Sequence, residues 1–171
     1  MPSVQDSDNR CFWRQNRLKL EAEAVRDSVL AVSGKLDLKI GGPSFQDFVI
    51  EQPQHSPHYQ YHLADPENPA LHRRSIYRFI VRSQQQPWMA TMDCADPSML
   101  VDKRNQSISP LQALALLNND FVLVMAREFA TRLDKEGGDT RAKISRGAEL
   151  ALGRLPTPDE PKLTCPGRSF T

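Results

Sequence analysis

Three histidines follow the spacing His-x-x-His-x-x-x-His, at His55, His58 and His62. Imidazole nitrogens at such intervals meet on one zinc ion when the backbone between them is helical. Pro57 interrupts this backbone and Pro66 follows it, so a continuous helix is not expected. The three histidines are therefore candidate metal ligands, and the competing interpretation places them on a surface loop.

Charged side chains are concentrated between residues 73 and 104. The carboxylates of Asp93, Asp96 and Asp102 could hold a hard cation, but their spacing is not that of an EF-hand. Arginines lie close to them in the sequence, so structural ion pairing is the favoured interpretation. The predicted polar cluster comprises Arg73, Arg74, Arg78, Asp93, Asp96 and Arg104.

No catalytic or cofactor motif is found. Ser107 and Ser109 are not part of a Gly-x-Ser-x-Gly elbow, and no glycine-rich phosphate-binding loop occurs. Trp13 and Trp88 could stack on a sugar ring, although isolated tryptophans more often anchor a core. The sequence therefore predicts no catalytic residue, and it leaves open whether the chain belongs to an enzyme.

The cysteines exclude covalent haem on this segment. Cys11, Cys94 and Cys165 are odd in number and far apart, and neither Cys-x-x-Cys nor Cys-x-x-Cys-His occurs. We predict three ordinary thiols and no cofactor on this segment.

The composition limits the partners. The net charge of +1 argues against nucleic acid or an anionic membrane surface as the main partner. No apolar run approaches the roughly 20 residues of a membrane-spanning helix, and the first residues do not resemble a signal peptide. A chain of 171 residues predicts a single domain.

A long helix of about 22 residues is predicted near the N-terminus. Asp8 or Asn9 is the expected N-cap, and Gly34 is the expected left-handed residue after the last turn. The predicted buried stripe comprises Leu18, Ala22, Val25, Val29 and Val32.

Residues 35–72 are predicted to be mostly loop, because a Gly41-Gly42-Pro43 turn and four later prolines interrupt them. Short extended pieces within 45–50 could pair. Residues 73–84 fit a helix or a strand, and their β-branched and aromatic content favours a strand.

The C-terminal part predicts three helices. Ser109, Pro110 and Gln112 form a capping box with proline at the first helical position. Leucines cover more than one face of this helix, so we expect it to be packed between other elements. A break at 118–120 then starts a second helix at Phe121, whose inner face is expected to carry Val122, Met125, Phe129 and Leu133 before it ends at 137–138.

Asp139 or Thr140 is expected to cap a third helix, which Pro156 ends. Its predicted buried stripe comprises Ile144, Ala148, Ala151, Leu152 and Leu155. Residues 157–160 form another capping box, but 161–171 lack a periodic apolar face, which predicts a truncated or atypical tail. The predicted fold class is mainly α, with a loop-rich middle and at most short strands.

Several blocks of sequence occur together in an ordered series. They are NRCFWRQNRLKLEAEAVRDSVLAVSG, GGPSF, RRSIYRF, MDCADPS, KRNQSISPLQALALLNNDFV and LALGRLPTPDE. Over residues 9–160 the chain resembles the planctomycete-type, cytochrome-associated C-terminal domain of unknown function. The resemblance implies the C-terminal part of a larger exported bacterial protein, with any haem on upstream domains. It implies an extracytoplasmic location, and it transfers no catalytic residue to this chain.

Two functions follow as hypotheses. The first is a non-catalytic interaction or scaffolding domain that contacts other domains of its parent protein, which is associated with cytochrome-c electron transfer or polysaccharide processing. The second is a ligand- or metal-binding part of an extracytoplasmic enzyme. Its site would use the arginine cluster, the 93–104 loop and the histidine-bearing loop. A further expectation is that residues 1–171 are a fragment and that the leucine-rich helix requires a covering partner.

Overall fold

The computed structural model describes residues 8–12, 14–16, 18–52, 56–100, 102–157 and 160. Within this part the chain forms five α-helices and one two-stranded antiparallel sheet, so the prediction of a mainly α fold with short strands is confirmed. The helices are α1 (Ala22–Ser33), α2 (Pro87–Thr91), α3 (Pro110–Asn118), α4 (Asp120–Glu136) and α5 (Thr140–Leu152). The strands are β1 (Val49–Glu51) and β2 (His58–Gln60).

Helix α1 is shorter than predicted, because the expected start near residue 9 is wrong. Asn9 is buried, and its side chain closes a turn instead of capping a helix. The Asn9 Nδ2 donates to the Arg14 carbonyl oxygen over 2.6 Å, and the Arg14 N–H donates to Asn9 Oδ1 over 3.2 Å. This local pairing competes with helix formation. At the other end the prediction is confirmed, since Gly34 adopts φ 78° and its N–H closes the last turn.

The middle of the chain is held by isolated pairings. β1 and β2 pair with Val49 opposite Gln60 and Glu51 opposite His58. The strand favoured for residues 73–84 is wrong: residues 75–77 form a 3₁₀ turn. Two isolated bridges, Asp37–Arg73 and Phe45–Arg78, join this segment to the preceding loop, and the Arg73 guanidinium also donates to the carbonyl oxygens of Gly41 and Pro43. The turn directs successive side chains around the chain, so the alternation that suggested a strand never produces two faces.

The predicted helix starts in the C-terminal part are confirmed to within one residue, but the predicted end of the last helix at Pro156 is wrong, because α5 ends at Leu152 and Gly153 adopts the left-handed conformation after it. The Ser109 hydroxyl accepts from the Gln112 N–H, and the Gln112 side chain accepts from the Ser109 N–H, which completes the capping box of α3. Asn119 Oδ1 caps α4 by accepting from the Phe121 N–H over 3.1 Å. Asp139 caps α5. Each boundary depends on residues within one helical turn, which is why the sequence predicts it.

The core lies between α1, α2 and α4. A cluster of Ala22, Trp88, Met89 and Met92 is buried, with Val122 packed against it. Leu30 and Met125 are also fully buried. The buried residues of α1 are Ala22, Arg26, Leu30 and Ser33. Of the predicted stripe, Ala22 is therefore buried, the three valines are only half-buried, and Leu18 is exposed before the helix.

Two predicted burials are wrong. Leu111, Leu114 and Leu117 of α3 are 68%, 55% and 70% exposed, because Gln112 and Ala115 face the core instead. On α5, Leu152 and the following Leu155 are exposed as well. None of the helices in the described residues has both the length and the apolar composition that a membrane crossing requires.

Candidate functional site

The side chain of Arg26 is a buried cation, with a relative exposure of 7%. α1 places it four residues after Ala22 and four before Leu30, on the buried side of the helix. Its Nη1 donates to the Arg73 carbonyl oxygen over 2.9 Å, and its Nη2 donates to the Leu71 carbonyl oxygen. Burial lowers its pKa to about 10, so the guanidinium remains protonated at neutral pH.

Two aromatic rings cover the Arg26 guanidinium. Its Cζ lies 5.0 Å from the centroid of the Phe45 ring and 5.5 Å from that of Phe121. Cation–π attraction is strengthened where the cation is desolvated. Arg26 therefore joins α1, the middle loop and the first turn of α4 at one point.

The neighbouring Asp27 holds the 3₁₀ turn at residues 75–77. Its Oδ1 accepts from the Ser75 N–H over 2.8 Å and from the Ser75 hydroxyl over 2.6 Å. The Ser75 hydroxyl also lies 3.3 Å from Arg26 Nη1. The consecutive residues Arg26 and Asp27 thus bind the same turn, one through a cation and one through an anion.

A second carboxylate, that of Asp47, lies near both Arg26 and Arg78. Its Oδ2 is 3.7 Å from Arg78 Nη1. Burial raises the pKa of Asp47, and the positive charges of Arg78 and Arg26 oppose that shift. The other oxygen, Oδ1, is buried without a hydrogen-bond partner among the described residues, and so is the indole Nε1 of Trp88. Such groups are rare in folded proteins, because an unmade buried hydrogen bond is costly.

A cavity of about 540 Å³ lies beside these groups. Its walls come from residues 61–72, the start of α2 and the first turns of α4. Arg26, Asp47 and Trp88 all line it, together with the rings of Tyr61 and Phe121. The volume falls in the range of small-molecule sites.

Asp93 is the centre of a separate polar network. The residue adopts φ 65°, and its carboxylate accepts from Lys19 Nζ, from the Ser107 N–H over 2.8 Å and from Gln112 Nε2 over 3.1 Å. The hydrogen bond from Lys19 is the main reason why its pKa falls to about 2, and Ser107 and Gln112 lower it further. Asp93 therefore joins the segment before α1 to the N-terminus of α3.

The histidines are dispersed. His55 lies outside the described residues, His58 is an exposed residue of β2, and His62 is exposed in the 3₁₀ turn at 61–63. His72 is buried, with its Nε2 2.9 Å from the Pro66 carbonyl oxygen. Across the described ranges, no group of three or more potential metal ligands comes together.

The six residues of the predicted polar cluster have different partners. Arg73 stacks on the Tyr77 ring, with its Cζ 4.2 Å from the centroid, and Arg74 is exposed at the start of the 3₁₀ turn. Arg104 Nη1 contacts Glu23 over 2.6 Å. Arg78 and Asp93 have the contacts given above, and Asp96 accepts from the Ser98 N–H and hydroxyl within its own turn. These contacts stabilise different parts of the fold, and Arg78 and Arg104 both line a smaller cavity of about 140 Å³ beside Cys94.

The remaining candidates also have structural roles. Ser109 caps α3, and Ser107 binds Asp93. Cys94 is half-buried, and its thiol lies 3.6 Å from Glu23; burial raises its pKa, which reduces its nucleophilicity. Cys11 is exposed. Trp13, Cys165 and the tail at 161–171 lie outside the described residues.

Sequence reasoning missed Arg26 and Asp47 as parts of a site. A signal for Arg26 was present, since it shares a face with Ala22 and Leu30 at intervals of four residues. Asp47 carries no such signal, because nothing near it in the sequence reveals its distant neighbours Arg26 and Arg78.

The exposed leucines form a second surface feature. We define the α3 face as Leu111, Leu114 and Leu117 together with Ile108 before the helix, which is 93% exposed. Contiguous exposed apolar side chains are typical of interaction surfaces. The described residues thus present two features of different kinds, a partly polar cavity and an apolar helix face.

The described residues form a mainly α-helical structure that presents a cavity and an exposed apolar helix face. A protein-family model described as "PSD1: Protein of unknown function (DUF1553)" matches residues 2–165. The chain belongs to this family, which confirms its identification from sequence as a domain of unknown function. No curated protein matches the chain, and no solved structure matches it.

Proposed function

We propose that this chain is a non-catalytic interaction domain, which packs against other domains of a larger exported bacterial protein. The α3 face carries the proposal. Three leucines with more than half of their surface exposed cost free energy in water and become favourable when another surface covers them.

The position of the α3 face supports a rigid docking surface. The capping box fixes the start of α3, and Gln112 holds its first turn against Asp93 over 3.1 Å. Ala115 packs against the core on the other side of the helix. The leucines are therefore presented in a fixed arrangement, which reduces the conformational entropy lost on binding.

The proposed occupant is a segment of the same polypeptide. The resemblance of residues 9–160 to a C-terminal domain of exported, cytochrome-associated proteins supports this choice. In that setting the domain works outside the cytoplasm, any haem is carried by other domains, and the scaffold serves electron transfer or polysaccharide processing.

Self-association of the 171-residue chain tests the apolar surface. We expect sedimentation velocity to show concentration-dependent dimers or larger species, because the leucines cover one another when no other domain is present. The triple variant Leu111→Gln, Leu114→Gln, Leu117→Gln should be monomeric. Leu38→Gln is the matched control, since Leu38 is 68% exposed like Leu111 but lies outside the α3 face. A wild-type chain that stays monomeric at high concentration contradicts the proposal.

Photo-crosslinking tests the occupant. A photoreactive amino acid at position 114, introduced into the gene in its native host, should crosslink to peptides encoded in the same reading frame. The same amino acid at position 38 should not. Crosslinks that join only two copies of residues 1–171 would replace the proposed occupant with a homodimer.

A further inference from the structure

The helix α5 is covered on one side only. At Gly147 it approaches α4 so closely that a β-carbon added there would lie 3.2 Å from Leu133 Cδ1. None of its thirteen residues, all of which the structure describes, is buried, and Leu152 near its end is 59% exposed. Within the described residues, much of the apolar surface of α5 is therefore in contact with water, which costs free energy.

An apolar groove of about 630 Å³ lies between the last turns of α4 and the length of α5, and we call it the α4–α5 groove. Its apolar walls include Ala130, Leu133, Ile144, Ala148, Ala151 and Leu152. The charged side chains at the groove are already paired, because Lys143 Nζ lies 2.8 Å from Asp134 Oδ1 and Arg154 Nη2 lies 2.7 Å from Glu160 Oε1. The groove therefore favours apolar side chains over an ion.

The chain leaves the described residues at the edge of this groove. Glu160 lines the groove, and its carboxylate accepts from the Thr157 N–H over 2.7 Å and from both Nη atoms of Arg154. Residues 161–171 therefore begin at the groove itself. Eight extended residues span about 26 Å, whereas α5 is about 20 Å long, so this segment can follow the groove along the whole helix.

The sequence of this segment suits an extended occupant. Pro161 lacks the N–H that a helix started by the capping box at 157–160 would need in order to continue. In an extended segment Leu163 and Cys165 share one face, while Thr164 points to the opposite side. One face of the segment is therefore apolar and can cover the groove.

We propose that residues 161–171 bind back into the α4–α5 groove of the same chain, with Leu163 and Cys165 facing its apolar walls. Covalent attachment to Glu160 gives the segment an effective concentration of the order of millimolar, which favours it over a separate protein as the occupant. This docking site goes beyond the interaction function, because none of its lining residues belongs to the α3 face.

Disulfide trapping tests the occupant, because Cys165 belongs to the segment itself. In a background in which Cys11 and Cys94 are replaced by serine, Ala148→Cys or Ala151→Cys adds one cysteine to the wall of the groove. A disulfide requires the two Cα atoms to come within about 7 Å of each other. Mild oxidation at a concentration below self-association then reports how often the segment lies in the groove.

The matched control is Glu149→Cys in the same background. Residue 149 lies between the two groove positions in sequence and is exposed, but it does not line the groove. We expect the intrachain disulfide to form at least about tenfold faster from position 148 or 151 than from position 149. Equal rates from all three positions overturn the proposal. Disulfide-linked dimers as the main product also overturn it, since a second copy would then occupy the groove.

A second pair of variants tests the apolar anchor. Leu163→Gln should slow trapping from the groove positions at least about tenfold, because burial of the leucine side chain holds the segment in place. Thr164→Gln should leave the rate unchanged, because this side chain faces away from the groove. Equal rates in the two variants would mean that chain proximity alone causes trapping, and they overturn the proposal.

Discussion

The region around Arg26 and the region of α3 to α5 differ in the range of the interactions that stabilise them. The segment 71–77 that contacts Arg26 has little regular structure. The buried guanidinium of Arg26 and the carboxylate of Asp27 hold this segment through long-range hydrogen bonds. In α3 to α5 the helices have well-formed caps, but many of their apolar side chains face outward. The first region is specified by its distant partners, and the second is specified by its neighbours in sequence.

This difference shows that sequence signals for helix ends do not predict which side chains of the helix are buried. A capping box determines where a helix begins, but it does not determine what the helix packs against. The comparison predicts large effects for single changes around Arg26 and smaller ones for changes at α3. The following substitutions test it, from the largest expected effect to the smallest.

Arg26→Met should have the largest effect. It leaves the carbonyl oxygens of Leu71 and Arg73 without their donor and removes one positive charge near Asp27 and Asp47, so we expect a loss of about 3–5 kcal/mol in the free energy of unfolding. Urea denaturation measures this loss. Arg141→Met, at an exposed position of α5, is the matched control and should change stability by less than about 0.5 kcal/mol. Equal losses of stability in the two variants would contradict the proposed difference between the regions.

Two leucines give a paired test of burial. Leu30→Ala should cost about 3 kcal/mol, because Leu30 is fully buried and its truncation leaves a cavity. Leu117→Ala should cost less than about 0.5 kcal/mol in the monomer, because most of the side chain is in water. Thermal and urea unfolding at concentrations below self-association provide both values. A large loss for Leu117→Ala would show that the α3 face is covered within the monomer.

Asp93→Asn should cost about 2 kcal/mol at neutral pH, because the carboxylate accepts charge-assisted and backbone hydrogen bonds that tie α3 to the segment before α1. The matched control is Asp102→Asn, at an exposed position of the same loop. Urea denaturation of both variants should give a loss only for Asp93→Asn.

The contribution of Asp93 should also depend on pH with a defined sign. Its pKa is lowered in the folded state from 3.8 to about 2, so the unfolded state binds protons more readily. The stabilisation is therefore complete above pH 3.8 and is lost as the pH falls towards 2. The difference in stability between wild type and Asp93→Asn should shrink over that interval, and a difference independent of pH would show that the carboxylate charge is not its cause.

Ser109→Ala should cost about 1 kcal/mol, through loss of the N-cap of α3. The helix content measured by circular dichroism should fall slightly at the same time. Ser83→Ala, at an exposed position in the loop before α2, serves as the control and should leave both quantities unchanged. A loss above about 3 kcal/mol would mean that the cap supports long-range packing as well.

The success of sequence reasoning follows the range of the interactions. The boundaries at Gly34, Ser109, Asn119 and Asp139 were predicted because each depends on hydrogen bonds within a few residues. The start of α1 was not predicted correctly. The side-chain amide of Asn9 can either cap a helix or close a turn, and the burial of Asn9 in the fold favours the turn.

Most of the site could not be predicted from the sequence, because it also depends on long-range contacts. Hydrophobic periodicity ranks valines above an arginine, so it predicts burial for Val25, Val29 and Val32 and gives no prediction for Arg26. Asp47 and Trp88 line one cavity because the middle loop packs against α1. No local sequence pattern predicts this packing.

The single residue Asn119 between α3 and α4 has a consequence for cooperativity. It ends one helix and caps the next, so no loop separates them that could absorb a displacement. Two residues later, the Phe121 ring lies 5.5 Å from the Arg26 guanidinium and 5.9 Å from the Trp88 ring. A movement of α3 is therefore transmitted to the ring that covers the buried cation. The two contrasting regions consequently form one folding unit, which should melt in a single transition.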